Sequence, residues 1–500
     1  MADHEPGAIC KDTSAATILS IHWNLCVGTI SRYAHDRPDL QDLLSELAAF
    51  EVYGQFMLTE LGHGLDAKNL ETTATMLPNG EFDLHTPNRQ AAKAMPPTTL
   101  EAGVARVGVV FARLIVEVED RGIKPFVVRL NDVDRMYPGV KSKALPIRPA
   151  AQSLDHAITS FDHVRLNASA LLGSKMRAEN PRKDFFQLIQ RVAIGGLSLS
   201  MANIPSLRHA CFTVAKYSMR RHVVSQLHGG HGTPIIAFRT QHRPILLGFA
   251  QAAVFEQYAR WSVKQFMTNS FTDQKKHGIV TAFKAVVVRD SQATFNELID
   301  RCGWQGLFTH STITELMFSN RGNSIAEGDV LVLCIRLASE LLLGKYQLPE
   351  SRHPECMLAR HERGLFAELK LAATKIVLAN GGKHRSDEFN AEILPWCKTL
   401  VEAIGQRMAY EAAVDSEVVA DELIRLFESN CILNHDASWY VEHGGVTRAT
   451  IVKNDAEAVN QVLPMLDKLM SESGAEPFVT APLVSEDRWT AFEGSLRCFE

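Results

Sequence analysis

Residues 54–76, GQFMLTELGHGLDAKNLETTATM, are the stretch from which the fold can be worked out. Gly62 and Gly64 lie inside a polar loop, and the sequence becomes β-prone through residues 70–75. Glycine lets the backbone come close to a ligand, and neighbouring N–H and hydroxyl groups can hydrogen-bond a flat polar ring. The same pattern is also typical of a plain turn before a strand, so the rest of the chain has to separate the two interpretations.

The sequence on either side of this loop predicts an α+β multidomain protein. Helical spacing of apolar residues precedes the loop, short β-branched runs follow it, and long helical patterns fill the remainder. We therefore expect short N-terminal helices, a central β-barrel-like domain, an α-helical bundle and a second, C-terminal helical domain. The predicted domain ranges are 1–50, 51–175, 176–345 and 346–500, and the predicted helices are 16–34, 39–50, 186–226, 240–270, 279–303, 328–345, 362–379, 388–413, 416–428 and 455–472.

The composition is typical of a globular protein with large buried cores. Of the 500 residues, 46% are hydrophobic and 22% are charged, and a chain of this length is expected to form several domains. The formal net charge of −5 and the lack of a long basic run argue against a nucleic-acid partner. The nine cysteines are scattered without a CxxC pair, which predicts reduced thiols. No metal ligand is assigned, because the histidines, including His63, His228, His231 and His310, lack ligand-like spacing.

No targeting or membrane signal is visible in the sequence. The N-terminus begins with acidic residues and has no basic region ahead of an apolar run, unlike a secretory signal. No apolar run is long enough to span a membrane. The last four residues, Arg497-Cys498-Phe499-Glu500, are not a peroxisomal Ser-Lys-Leu address. A cytoplasmic location without a membrane span is therefore the expectation from the sequence alone.

Five segments, in order along the chain, carry a resemblance to a known family. Residues 59–75 read TELGHGLDAKNLETTAT, residues 216–221 KYSMRR, residues 238–241 FRTQ, residues 302–308 CGWQGLF and residues 324–329 SIAEGD. These segments resemble the flavin-facing loop, the arginine-bearing helix, the glutamine segment, the CGGHGY turn and the catalytic Glu-Gly segment of the acyl-CoA oxidases. That family is the oxygen-using branch of the acyl-CoA dehydrogenase superfamily. The resemblance covers about residues 20–345.

Glu327 is the residue that the resemblance implies as the catalytic base. Two-electron oxidation of an acyl thioester needs a carboxylate to take the α-proton while the β-hydrogen leaves as a hydride. The residues themselves offer a second interpretation, because Ser324 and Glu327 have the spacing of a capping box that opens a helix at Gly328. Both interpretations stay open at this point.

The resemblance also implies FAD as the cofactor. The implied cofactor-binding residues are Thr59, Gly62, Gly64, Arg221, Gln241, Gly303 and Gly306. The spacing of Tyr217 and Arg221 predicts one face of a helix, from which a guanidinium group suits a pyrophosphate. In the family this arginine and glutamine reach the FAD of the neighbouring subunit, which implies a homodimer. From the residues alone, Arg220 and Arg221 can equally be a solvated helix end, Gln241 an ordinary surface amide, and the 302–308 turn a link between helices.

Several features depart from the family pattern. Leu65 stands where the family loop carries a small hydroxyl residue, and Ala94 and Met95 stand where it has an aromatic wall beside the flavin. Met95 is a flexible apolar side chain that can fill part of that space. Trp304 replaces the second glycine of the CGGHGY turn, so we expect a bulky ring where backbone approaches the cofactor. Thr59 also occurs early in the chain, so we expect only the last two helices of the family's N-terminal helical domain.

Two classes of function follow from these residues. The first is an FAD-dependent acyl-CoA oxidase that introduces an α,β double bond into an acyl-CoA, with dioxygen reoxidising the flavin to give hydrogen peroxide. Its pathway would be fatty-acid β-oxidation or the tailoring of a secondary-metabolite acyl chain, and a dehydrogenase with another electron acceptor is a variant of the same class. The second is a catalytically impaired partner subunit that keeps the oxidase fold, which Trp304 and the shortened N-terminus favour. The resemblance also implies a peroxisomal location as an alternative to the cytoplasm.

Overall fold

The computed structural model of the protein describes residues 8–224 and 232–500. Residues 12–195 form one unit, and residues 196–500 form a second unit together with the N-terminal residues up to Lys11. The predicted α+β class is confirmed, because the first unit contains two β-sheets and the second is helical apart from a short hairpin. The division into four domains stays a prediction. His228 and His231 lie outside the described residues.

The first unit begins with short helices that confirm the predicted N-terminal helical region. These are α1 (Thr13–Leu19), α2 (Gly28–Ile30) and α3 (Pro38–Ala48), with a π-helix over Ser20–Val27 between α1 and α2. Asp12 caps α1, because its side chain accepts hydrogen bonds from two backbone N–H groups of the first turn. Pro38 opens α3 at a position where its missing N–H is not needed. Buried Leu40, Leu43 and Leu47 give α3 its apolar face.

The β-strands of the first unit form two sheets. The strands are β1 (Tyr53–Met57), β2 (Thr73–Met76), β3 (Phe82–His85), β4 (Lys93–Pro97), β5 (Arg106–Val116), β6 (Glu119–Asn131), β7 (Val140–Ala144), β8 (His156–Phe161) and β9 (Val164–Leu166). The six-stranded sheet has the order β1-β5-β2-β3-β9, with β6 also paired to β5, and the three-stranded sheet has the order β4-β8-β7. Strands β1 and β2 both run parallel to β5, whereas β6 is antiparallel to it.

Strand β5 is buried on both faces, which places it at the centre of the first unit. Alternate side chains of a strand point to opposite faces. Val107, Val109 and Phe111 therefore join the core that contains the N-terminal helices, and Val110, Ala112 and Leu114 join a second core on the other face. Gly54 allows β1 to approach the N-terminal helices, because a Cβ atom at this position would lie 2.6 Å from the Cys26 Sγ.

The rest of the chain is helical except for one hairpin. The elements in order are α4 (Pro181–Leu188), α5 (Gln190–Met201), α6 (Asn203–Arg220), β10 (His222–Val224), β11 (Gly232–Pro234), α7 (Arg239–Met267), α8 (Asp273–Asp300), α9 (Ile313–Asn323), α10 (Val330–Leu342), α11 (Met357–Ala379), α12 (Asp387–Glu392), α13 (Leu394–Ser416), α14 (Asp421–Asn434), α15 (Ala437–His443), α16 (Arg448–Val462), α17 (Leu466–Glu472) and α18 (Glu486–Gly494). Among the described residues no single helix is long and apolar enough to span a membrane; a bent pair, Pro181–Leu188 with Gln190–Arg220, passes by length and composition only.

The prediction of one continuous helix over residues 186–226 is wrong. The segment consists of α4, α5 and α6, and the last of these ends at Arg220. Pro205 explains the break at Ala202, because in a continuous helix the proline ring would clash with the carbonyl group four residues earlier. Beyond Arg220 the chain is extended, and β10 pairs with β11 as an antiparallel hairpin.

A buried charge network joins the C-terminal helices of the second unit. Arg407 of α13 is only 1% exposed. Its Nη2 lies 3.0 Å from Glu362 Oε1 of α11, and its Nη1 lies 3.1 Å from Glu411 Oε2 one turn later in α13. The same guanidinium group donates to the carbonyl oxygen of Pro349 at 3.1 Å. Because the charges are removed from water, the network depends on each group keeping its partners.

We expect Arg407→Met to lower the free energy of unfolding by about 3–5 kcal/mol, since two buried carboxylates lose their cation. Urea unfolding of the variant and of the wild-type protein measures the difference. Arg425→Met is the matched control, because Arg425 is exposed and its 3.7 Å pair with Glu422 is also at the surface; its effect should stay below about 1 kcal/mol. Equal stability of the two variants would contradict a structural role for the buried network.

Candidate functional site

The loop that follows β1 is held by a buried ion pair. Lys93 Nζ lies 2.9 Å from Glu60 Oε1, and neither side chain is exposed. The Glu60 carboxylate also accepts hydrogen bonds from the N–H groups of Glu71 and Thr72, at 2.7 and 3.0 Å. Lys93 donates a further hydrogen bond to the carbonyl oxygen of Phe111 at 2.7 Å. The pair therefore joins both ends of the loop to strands β4 and β5.

The surroundings of Lys93 explain how an ion pair persists without water. Burial lowers the pKa of Lys93 to about 8, and the charge of Glu60 opposes part of this shift. A buried charge is tolerated when every donor and acceptor finds a partner, and this pair meets that condition through the backbone groups around it. The conformation of the loop therefore depends on both Lys93 and Glu60, because replacing either one alone would leave the other charge buried without its partner.

This loop contains the predicted residues Thr59, Gly62 and Gly64. They differ in their hydrogen bonds and in their packing. The Thr59 carbonyl oxygen accepts a hydrogen bond from the N–H of Ala94 at 3.0 Å. Gly62 donates its N–H to the carbonyl oxygen of Gln90 at 2.8 Å, and a Cβ atom at Gly62 would lie 2.9 Å from the Gln90 Cβ. A Cβ atom at Gly64 would meet nothing within 4 Å. Gly62 is therefore required by packing, whereas the flavin-facing role of all three residues stays a prediction.

Two of the residues that depart from the family pattern in this unit, Leu65 and Met95, are partly in solvent. Leu65 is 73% exposed and Met95 is 48% exposed. Met95 has a φ of 79°, and its carbonyl oxygen lies 2.7 Å from the Nδ1 of His156. Both side chains are therefore exposed apolar surface next to the loop, rather than part of a core.

The prediction that Arg221 and Tyr217 share one helix face is wrong. Helix α6 ends at Arg220, and Arg221 is its C-cap, with an extended backbone at φ −79° and ψ 125°. The N–H of Arg221 still donates to the carbonyl oxygen of Tyr217 at 2.9 Å, but its own carbonyl oxygen accepts from Ile235 at 2.8 Å. The hairpin β10–β11 thus takes the chain out of the helix at this residue. Arg221 is exposed, and its role as a pyrophosphate ligand stays a prediction.

Gln241 is not an ordinary surface amide, because only 9% of the residue is exposed. Its Nε2 donates to Ser218 Oγ at 2.8 Å and to the carbonyl oxygen of Arg301 at 2.9 Å. Gln241 therefore ties the start of α7 to the end of α6 and to the residue before the 302–308 turn. Two of the segments singled out in the sequence, 216–221 and 238–241, therefore meet here, together with the residue that precedes a third.

Glycine occupies positions 303 and 306 of the 302–308 turn for two different structural reasons. Gly303 has a φ of 58°, a left-handed conformation that favours glycine, and a Cβ atom there would meet nothing within 4 Å. A Cβ atom at Gly306 would lie 2.3 Å from the carbonyl oxygen of Ile299. Close backbone packing therefore accounts for Gly306, and its predicted approach to phosphate stays untested.

Trp304, which replaces a family glycine in this turn, packs against the C-terminal helix α18. Its ring centroid lies 6.0 Å from that of Trp489 and 5.9 Å from that of Phe308, yet the residue remains 59% exposed. Arg220, at the end of α6, forms an ion pair of 2.5 Å with Glu486 at the start of α18. The C-terminal helix thus lies on the surface that contains the turn and the end of α6.

Glu327 lies in the turn between α9 and α10, and its backbone is left-handed. Its φ is 59°, and that of Gly328 is 98°. The capping-box interpretation is wrong: Asp329 is the N-cap of α10, and its side chain accepts a hydrogen bond from the N–H of Val332 at 3.2 Å. The Ser324 hydroxyl instead donates to a carbonyl group of the preceding turn. Glu327 is half-buried, and its assignment as the base stays a prediction.

A buried lysine of α8 holds the turn that carries Glu327. Lys284 Nζ donates to the carbonyl oxygen of Ala326 at 2.5 Å and to that of Gly328 at 2.7 Å. Lys284 is 1% exposed. Burial lowers its pKa to about 8, and the carboxylates of Glu327 and Asp329 oppose part of this shift. A cation within the helical core therefore acts on the backbone on both sides of Glu327.

The structure separates Glu327 from the cluster formed by Gln241 and the 302–308 turn. Lys284 contacts the Glu327 turn from near the middle of α8, whereas Arg301, the C-cap of α8, contacts Gln241. Two points 17 residues apart on an α-helix are separated by about 25 Å, at 1.5 Å per residue. The predicted residues of the second unit therefore form two sites, at different positions along α8.

Sequence reasoning missed Lys93 and Lys284 as residues that hold these sites. Lys284 is the single charged residue between His277 and Arg289 in an otherwise apolar stretch of α8. A lone charge on a buried helix needs a partner, and that signal was available in the sequence. Lys93 offers a weaker signal, because its partner Glu60 is distant in the chain.

One further cluster of side chains has a composition that can ligate a metal. The ligand atoms of His85, Asp162 and His163 lie within 4.8 Å of one another. His163 Nδ1 lies 2.9 Å from Asp83 Oδ2, and Lys141 forms a 2.9 Å ion pair with Asp162. These partners within the protein account for the cluster, so we assign no metal to it.

Known proteins resemble this chain in both sequence and fold. Residues 195–342 match the C-alpha1 domain of acyl-CoA oxidase. Peroxisomal acyl-coenzyme A oxidase 1 of Arabidopsis thaliana is 26% identical over 415 residues, which cover 78% of this chain and 60% of that relative. This chain therefore spans less than two thirds of the relative's own length.

Solved structures of the same kind superpose on almost the whole chain. Acyl-CoA oxidase 3 of Yarrowia lipolytica aligns with a TM-score of 0.81 at 20% identity, covering 97% of this chain and 80% of that one. Acyl-CoA oxidase-2 of Caenorhabditis elegans, bound with FAD, ascaroside-CoA and ATP, aligns with a TM-score of 0.80 at 18% identity, covering 95% and 79%. The fold is that of the acyl-CoA oxidases. In sequence, residues 195–342 are similar to the C-alpha1 domain of acyl-CoA oxidase.

We expect Lys93→Met to lower the free energy of unfolding by about 3–5 kcal/mol, because the Glu60 carboxylate stays buried without its cation. The double variant Glu60→Gln/Lys93→Met should recover part of this loss, since it removes both charges. Urea unfolding of the wild-type protein, the two single variants and the double variant measures the free energy of unfolding of each. Lys141→Met is the control, because Lys141 and Asp162 form an ion pair of equal length, 2.9 Å, on the surface. A loss in the control as large as that in Lys93→Met would contradict the importance of burial.

Proposed function

We propose that the protein is an FAD-dependent acyl-CoA oxidase that introduces an α,β double bond into an acyl-CoA thioester. The observation that carries this proposal is the Glu327-Gly328 turn, which lies within the residues that match the C-alpha1 domain. Its left-handed backbone and the two hydrogen bonds from buried Lys284 present a half-buried carboxylate on a fixed turn. A fixed carboxylate is what proton abstraction next to a carbonyl group requires.

Glu327 is assigned the role of base. The bond between the α-carbon and its hydrogen breaks, the proton moves to the carboxylate, and the electron pair forms the α,β double bond as the β-hydrogen leaves as a hydride. When bound, FAD would supply the acceptor for that hydride, and dioxygen would take up the electron pair and two protons to give hydrogen peroxide. The protein's part is to place the carboxylate and to bind and orient the thioester.

The residues at the ends of α6 and α8 fit a dinucleotide. Arg221 is exposed, and a guanidinium group suits a pyrophosphate. Gln305, next to Gly306 in the turn, has a buried Oε1 with no hydrogen-bond partner among the described residues, which suits a hydroxyl donor. The Gln241 amide nitrogen is engaged by Ser218 and Arg301, so its contribution would be to position the turn.

The separation of these residues from Glu327 supports a homodimer. A distance of about 25 Å along α8 is too long for one small contact region. We therefore infer that Arg221 and the 302–308 turn bind the FAD that serves the Glu327 of a second copy. In the first unit, Thr59, Gly62 and Gly64 are assigned to the flavin ring.

The similar proteins support an acyl-CoA as the class of substrate. They do not identify the acyl chain. The Caenorhabditis elegans structure holds ascaroside-CoA, a CoA thioester, and the Arabidopsis relative is named peroxisomal. We propose an acyl-CoA substrate and a peroxisomal location on these grounds. β-Oxidation is the process that fits both.

The absorbance spectrum of the purified protein tests the cofactor. We expect a yellow protein whose flavin band bleaches when an acyl-CoA is added without oxygen and returns when air is admitted. Bleaching without oxygen consumption would instead indicate a dehydrogenase with another acceptor. A colourless protein that takes up no added FAD would contradict the enzyme and favour the non-catalytic partner subunit, which the exposed Trp304 in the 302–308 turn allows.

Glu327→Gln tests the base. We expect the rate of flavin reduction to fall by about 10²–10⁴-fold with unchanged FAD content, because the amide cannot accept the α-proton. Stopped-flow absorbance under anaerobic conditions measures the rate. Glu472→Gln, at an exposed residue of α17, is the control and should retain the wild-type rate. Full activity of Glu327→Gln would assign the base to another residue.

A further inference from the structure

We propose that Lys284 is the positioning residue of the base: its ammonium group holds Glu327 in the backbone conformation from which the carboxylate acts. The inference rests on the proposed function of Glu327 and deepens it. Lys284 is buried in α8 and donates to two backbone oxygens of the turn, at 2.5 Å to Ala326 and 2.7 Å to Gly328. Neither oxygen belongs to Glu327, and the two residues that carry them flank it.

The conformation of Glu327 needs such support. A non-glycine residue with a left-handed backbone is strained by about 1–2 kcal/mol, so the free turn would favour another conformation. Glu327 has a φ of 59°. Because it carries a Cβ atom, it adopts this conformation with more strain than a glycine would. The carbonyl group of Ala326 lies in the peptide plane on which the φ of Glu327 depends, so a hydrogen bond to that oxygen fixes the direction in which the side chain leaves the backbone.

Other hydrogen bonds hold the segment ahead of this point. The Asn320 side chain donates to the carbonyl oxygen of Val288 in α8 at 3.2 Å, and the Asn323 side chain donates to that of Leu199 in α5 at 3.2 Å. These bonds fix the end of α9. Within the turn, the N–H of Ala326 donates to the carbonyl oxygen of Gly322 at 2.9 Å, and the N–H of Val330 donates to that of Ser324 at 3.0 Å. The Lys284 bonds add a side-chain restraint at the two residues next to Glu327.

An ammonium group suits this task better than a neutral donor. It carries three N–H donors on one atom, so it can bind two carbonyl oxygens that point to the same place. Hydrogen bonds from a charged donor are stronger than neutral ones, especially away from water. The charge also lies near the carboxylates of Glu327 and Asp329. Loss of the ammonium group would leave the carbonyl oxygens of Ala326 and Gly328 without this charged donor, and the turn would relax.

Lys284→Met tests the proposal with two readouts that are measured separately. We expect amide hydrogen exchange in peptides covering residues 322–333 to be faster by about tenfold, because the turn loses two hydrogen bonds to a charged donor. We also expect kcat for acyl-CoA oxidation to fall by about 10–100-fold, with KM and FAD content within twofold of wild type, since a displaced base affects the chemical step.

Lys375→Met is the matched control, because Lys375 is an exposed lysine near the C-terminal end of α11 in the same unit. It should leave both readouts unchanged. If Lys284→Met does not fold, Lys284→Gln takes its place, since its shorter amide keeps two N–H donors without the charge; it should show the same changes to a smaller extent.

The two readouts distinguish failure of this inference from failure of the proposed function. Unchanged exchange in residues 322–333, or faster exchange with an unchanged kcat, would overturn the positioning role. If the wild-type protein binds no FAD and oxidises no acyl-CoA, the proposed function fails. The positioning role for a base then fails with it, whereas faster exchange in the variant would still identify Lys284 as the group that holds the turn.

Discussion

The structure depends at two places on the same constraint: an ammonium group removed from water must find acceptors that are already fixed. Lys93 meets this constraint with the Glu60 carboxylate and the carbonyl oxygen of Phe111, and Lys284 meets it with two carbonyl oxygens of one turn. In each case the lysine belongs to a regular element, and at least one of its acceptors belongs to an irregular segment. A lysine side chain that is fixed in a strand or helix thus restrains the conformation of a loop through its hydrogen bonds.

Each lysine acts within a different unit and on a different kind of segment. Lys93 supports a loop whose two ends are joined by Glu60, which accepts hydrogen bonds from the N–H groups of Glu71 and Thr72. Lys284 acts on a turn of a few residues and supports a left-handed glutamate. In both units the charge lies in an apolar core, where a point charge has its largest effect. Burial and hydrogen bonding therefore reinforce each other.

The departures from the family pattern are concentrated where the chain meets solvent. Leu65, Met95 and Trp304 are all substantially exposed. Trp304 contacts Trp489 of the C-terminal helix, and Arg220 contacts Glu486 of the same helix. The C-terminal helix thus lies on the surface to which we assign the cofactor, while the buried framework underneath has the fold of the acyl-CoA oxidases. Exposed positions tolerate such changes because they carry little packing energy.

The sequence by itself determined the α+β class, the existence of the long helices and the order of the five family-like segments, because hydrophobic periodicity and turn residues are local signals. It did not determine the end of α6 at Arg220, the true cap of α10 at Asp329, or the engagement of Gln241 by Arg301. Only the tertiary structure decided these, together with the partners of Lys93 and Lys284. The physical reason is that the local spacing of residues in the sequence does not reveal a hydrogen bond to a backbone oxygen far away in the chain. Such an oxygen nevertheless determines whether a charged side chain can be buried at a given position.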